Sequence, residues 1–74
     1  MYLGQIAKAS IMLKNQTKKT NVLLKITQLD SWGPVAECII LAPKGFNGYY
    51  KVHEDNMIMV PKEEFESEYN KFCN

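Results

Sequence analysis

The sequence predicts a mainly β domain: a small five-stranded barrel or strongly bent antiparallel sheet, followed by a short C-terminal α or 3-10 helix. Three observations predict it. Val22, Leu24 and Ile26 alternate with Leu23, Lys25 and Thr27 at the two-residue period of a strand. Clusters of turn formers, "DSWGP" and "KGFNG", punctuate the chain between short apolar runs. After Val60 the period changes, because Phe65, Tyr69 and Phe72 fall at the spacing that puts three rings on one face of a helix.

Tyr2 to Leu13, "YLGQIAKASIML", is mixed in pattern and is read as extended. Lys14 to Asn21, "KNQTKKTN", has no apolar residue and reads as a solvated loop. The strand from Val22 runs to about Leu29, with Val22, Leu24 and Ile26 inward. "VAECIILA" is apolar except for Glu37, as in a strand largely buried on both faces, and its short length, isoleucine pair and flanking Pro34 and Pro43 decide against a helix. "YYKVH" and "MIMV" supply two more short strands, joined by the turn "EDN". A helical segment is expected at about 61–72: Pro61 suits a first turn, where an N–H has no partner, and Glu63 and Glu64 complement the positive end of the helix dipole. With five short strands, closure into a barrel would remove the edges that so small a sheet exposes.

The chain of 74 residues makes one domain, 1–74, with no internal repeat or interdomain linker. A domain of this size buries only about 60% of the surface its unfolded chain exposes. Its core is worth roughly 3–5 kcal/mol net, so docking on a partner, or on a second copy as a homodimer, would add stability. Cys38 sits in an apolar run and Cys73 near the end, a usage that fits a reduced cytoplasmic protein. No segment has the ~18 apolar residues of a membrane span, and the N-terminus lacks the pattern of a signal peptide.

Net charge is +1, unevenly laid out. Lysines 8, 14, 18, 19 and 25 precede every acid, while Glu54, Asp55, Glu63, Glu64, Glu66 and Glu68 crowd the last third. Arginine, the usual device for bidentate phosphate or guanine contacts, is absent.

From "NVLLKITQLDSWGPVAECIILAP" through "YYKVHEDNMIMVPKEEF", the order of a long bent hairpin, a loop and two short strands ending in a helical turn resembles the SH3-like barrels, including the Tudor-like and KOW-like groups. The resemblance covers most of the chain as a strand pattern and carries no family motif. It implies a small-barrel architecture and a protein that binds rather than transforms, which is as far as a fold reaches.

Candidate chemistry narrows accordingly. "PKGFNG" is not a phosphate cradle: no Lys-Ser or Lys-Thr pair follows, and the next segment reads as strand, whereas such cradles open onto a helix. Its glycines read as turn formers. Tyr49 and Tyr50 are adjacent on a strand, so one should face out. With Phe46 and Trp32, the outward tyrosine would form an aromatic surface cluster, and Trp32, beside "GP", is the best single interface anchor. No metal is expected, since Cys38, His53, Asp55 and Cys73 lack ligand spacing. No cofactor and no enzymatic activity are expected either, for no nucleophile–base–orienter set is legible.

The expected function is a non-enzymatic protein-binding module. Trp32, Phe46, Tyr49, Glu54, Asp55, Glu63, Glu64 and Glu66 are its candidate protein-binding residues, the acids offering a negative surface to a basic partner. A chain that starts with methionine and ends without a linker reads as a complete small gene product. Its lysine, asparagine and isoleucine richness suits an AT-rich genome, and together these suggest a phage or mobile-element accessory protein that inhibits a host protein in the host cytoplasm. The alternative is a nucleic-acid-binding barrel that uses Lys14, Lys18 and Lys19.

Overall fold

Five antiparallel strands form a single sheet in the computed structural model, which describes residues 1–31 and 33–73 and, at Cys73, the backbone alone. They are β1 (Ile6–Met12), β2 (Lys19–Leu29), β3 (Val35–Ala42), β4 (Tyr50–His53) and β5 (Met57–Met59). Their order across the sheet is β4-β3-β2-β1-β5. The outermost strands are joined through the 3-10 turn Glu54–Asn56 but do not pair, so the sheet curls into a half-barrel. A 3-10 turn at Lys62–Glu64 leads into helix α1 (Phe65–Cys73). The mainly β architecture and the C-terminal helix expected from sequence are both present.

The curl has a local cause. Opposite β2, the register of β3 shifts between Leu23 and Leu24, where Leu41 is the extra residue, and again between Ile26 and Gln28, where the extra residue is Thr27. Such bulges bend a strand and increase its twist. At the second one Thr27 Oγ1 donates to the Glu37 carbonyl at 3.2 Å, so the irregular backbone keeps a partner.

Alternation along β2 then sorts the apolar residues onto two faces. Val22, Leu24 and Ile26 are fully buried in a main cluster with Ala7, Ala9, Leu13, Ala36, Cys38, Val52 and Met57. All five strands contribute to it, which only the concave side of a curled sheet allows. Leu23, equally buried, points the other way and joins Ala42 and Val60 in a second cluster. Phe65, Tyr69 and Phe72 pack on that second cluster, with the Phe65 and Tyr69 rings 5.7 Å apart. The three rings share a helical face as their spacing predicts, and they cover the outer side of the sheet, opposite the main cluster. The physical reason is Leu23: an apolar side chain on the outer face must also be covered, and α1 is the element that covers it.

Two strand boundaries also differ from expectation. β1 begins at Ile6, because Tyr2–Gln5 forms a turn in which the Gln5 N–H reaches the Tyr2 carbonyl at 3.1 Å and Gly4 adopts φ +84°. β2 begins at Lys19, three residues before Val22, since Thr20 and Lys19 pair with Ile11 and Met12. β3 is not buried on both faces throughout: Ile39, Ile40 and Leu41 are half-buried.

Candidate functional site

The outer face carries two grooves, one on each side of α1. The first lies between the N-terminal turn and the start of the helix. Tyr2, Leu3, Ile6, Leu41, Val60 and Phe65 form its apolar lining, with Lys25, Lys62, Glu63 and Glu66 among them. Backbone bonds set its walls: Gly4 N–H to the Ile26 carbonyl at 2.8 Å holds the N-terminal turn, and Val60 N–H to the Ile6 carbonyl at 2.9 Å fixes where the helix begins. Tyr2 and Leu3 keep 64% and 62% of their surface in solvent, two adjacent apolar side chains exposed on one rim.

The second groove runs between β1, the 3-10 turn after β4, and the last turn of α1. Lys8, Ser10, Asn21, Asp55, Ile58 and Lys71 border it. Lys8 Nζ reaches Glu68 Oε1 at 3.5 Å and Lys71 Nζ reaches the same oxygen at 3.6 Å, so the cations here are matched by a largely buried carboxylate. Ile58, on the edge strand, is exposed.

The candidate residues separate among these regions. Glu63 and Glu66 line the first groove, and Glu64 is exposed beside them. Asp55 lines the second groove, with Glu54 adjacent in the same 3-10 turn, so the acids do not make one continuous surface. Asp55 N–H donates to His53 Nδ1 at 3.1 Å, which makes the His53–Asp55 pair a local cap of that turn. Tyr49 is exposed while Tyr50 packs on the main core, as their adjacency requires. Phe46 is half-buried and packs against the same core. Trp32 lies outside the described residues. Lys14, Lys18 and Lys19 are exposed in and beside the β1–β2 loop, at the end of the sheet away from the N-terminal turn.

Sequence reasoning missed Tyr2 and Leu3 because it read them as part of a strand. The signal was Gly4, a residue suited to the positive φ that turns the chain there. Leu41 was missed for another reason: its exposure to the groove follows from a bulge that no local pattern announces.

Burial, with the Glu37 carboxylate as a second cause, pushes the Cys38 thiol from its ordinary 9.0 up to about 11, so it is a packed hydrophobe and not a nucleophile. Among the described residues no three His, Cys, Asp or Glu side chains gather as a metal site, and no helix is long and apolar enough to cross a membrane. Comparison with protein-family models, curated proteins and solved structures finds no significant match to this chain.

Proposed function

We propose that the chain is a small non-enzymatic protein-interaction module of the SH3-like kind, and that its working surface is the groove between the N-terminal turn and α1. The strand order β4-β3-β2-β1-β5, with a 3-10 turn between the last two strands, supports the SH3-like reading. The observation that carries the functional reading is the exposure of Tyr2 and Leu3 at the rim of a groove otherwise lined by Ile6, Leu41, Val60 and Phe65. Exposed aromatic and aliphatic side chains around a concave patch are the composition of an interface core.

Its charges specify the partner. Glu63 and Glu66 on the helical wall, with Glu64 exposed beside them, form an acidic rim facing Lys25 and Lys62, so the occupant we propose is a protein segment with an apolar anchor and a basic residue set against that rim. Complementary charge of this sort speeds and orients association. Occupation of a basic site on a host protein, from the host cytoplasm, is the corresponding mode of action for an inhibitor of phage type.

Affinity capture from host extract after nuclease treatment tests the reading. A partner held by the native chain should be lost with Leu3→Asp and with the charge reversals Glu63→Lys and Glu66→Lys, and retained with Lys14→Ala. A partner captured equally by all four variants would refute the groove as the interface.

A further inference from the structure

The opposite end of the sheet has a different chemistry. The β1–β2 loop and the β3–β4 loop meet there, because consecutive antiparallel strands return their alternate connections to the same end. The contact is direct: Lys14 Nζ stands 5.5 Å from the centroid of the Tyr50 ring, within the range of a cation–π interaction. A Cβ built on Gly48 would approach that ammonium to 3.2 Å, so the tip of the second loop bears on the first.

Neither loop contains an acid. Lys14, Lys18 and Lys19 come from one side and Lys44 from the other, with no Asp or Glu between Leu13 and Thr20 or between Pro43 and Tyr50. Among the described residues none of these four lysines makes an ion pair, in contrast to Lys8 and Lys71, which share Glu68. Tyr49, next to the ring that receives Lys14, keeps 62% of its surface in solvent. The near-neutral total of +1 therefore conceals an end where two touching loops without an acid carry four exposed lysines, none ion-paired among the described residues, and an exposed tyrosine.

We infer that this end binds single-stranded nucleic acid, with phosphates on Lys14, Lys18, Lys19 and Lys44 and a base stacked on Tyr49. Unpaired lysines favour phosphate because each contact releases a condensed counterion. An acidic protein would satisfy the lysines but would leave the exposed ring without a role, whereas every unstacked base presents a π face to it. Lysine as the sole cation, with no arginine in the chain, fits binding without sequence preference, since the bidentate reading of guanine is missing. This inference is independent of the groove at the other end of the sheet.

Fluorescence anisotropy of the full chain with a labelled oligothymidylate of about 15 nucleotides, enough for one binding site, tests it. Between about 50 and 200 mM salt, four phosphate contacts predict a slope of log K against log salt near −3, at about −0.7 per contact on a single strand. Lys14→Ala, Lys18→Ala, Lys19→Ala and Lys44→Ala should each flatten that slope by about 0.7. Tyr49→Ala should weaken binding roughly ten-fold or more and leave the slope unchanged, because stacking is not a counterion effect. Leu3→Asp should change neither. Absence of binding at the lowest salt would overturn the inference. So would equal binding of duplex with no effect of Tyr49→Ala, or displacement of the oligonucleotide by polyglutamate at equal charge concentration.

Discussion

Leu24 and Ile26 have no surface in contact with solvent and sit where all five strands converge, so each carries a large share of a small core. Truncation of a buried leucine to alanine costs about 2–5 kcal/mol. A domain this short holds roughly 3–5 kcal/mol in total. Leu24→Ala should therefore remove most of the folding free energy and shift the urea midpoint far down, as read by far-ultraviolet circular dichroism, while Tyr49→Ala should leave the urea midpoint within experimental error. Cys38 makes a residue-scale prediction with a sign. Its thiol ionises near 9.0 in the unfolded chain and near 11 in the folded one, chiefly through burial. Between those values the folded state holds a proton that the unfolded state has released, so stability is fully present below pH 9 and is lost as pH rises toward 11. Urea midpoints measured across that window should fall more steeply for the native chain than for Cys38→Ala. Equal slopes would contradict the burial of the thiol.

At the scale of elements, α1 depends on its seat. An isolated helix shorter than about 12–15 residues is marginal in water, and α1 has nine. What holds it is the packing of Phe65, Tyr69 and Phe72 over Leu23, Ala42 and Val60. Phe65→Ala should speed amide exchange in α1 while the β1–β2 ladder stays protected, since the two rest on different clusters. The Lys8–Glu68–Lys71 cluster contributes less: Glu68→Gln should cost at most about 1 kcal/mol, a difference that shrinks in high salt. The helix was legible in the sequence because Pro61 and the ring spacing are local signals. Its position was not, because a single odd residue decides it. Leu23 stands among the outward positions of an otherwise regular alternation, and an apolar residue there means that the outer face is covered too. The bulges at Thr27 and Leu41 were equally hidden, being set by what β2 and β3 need from each other across the sheet.

The molecule as a whole separates two surfaces that a net charge of +1 averages away. Acids and exposed apolar side chains meet where the N-terminal turn faces the start of α1, and lysines without an ion-pair partner among the described residues project from the β1–β2 and β3–β4 loops, which touch. Charge asymmetry along the chain was readable as sequence. That Lys14 reaches Tyr50, and that Asp55 lines the groove bordered by Lys8 while Glu63 lines the other, depends on how the sheet curls. Because the two surfaces lie at opposite ends, a substitution at one should leave the other working: Leu3→Asp should abolish capture of a protein partner in the same preparation that still binds oligonucleotide, and Lys18→Ala should flatten the salt dependence of oligonucleotide binding by about 0.7 while capture is retained.

The protein-binding groove presupposes that the helix rides on the outside of the sheet, because it exists only if α1 leaves the concave core and lies beside the N-terminal turn. Nuclear Overhauser contacts from the Phe65, Tyr69 and Phe72 rings test this most directly. The arrangement predicts cross-peaks to the methyl groups of Leu23, Ile6 and Val60. Cross-peaks instead to Val22, Leu24 and Ile26 would place α1 in the interior and contradict it.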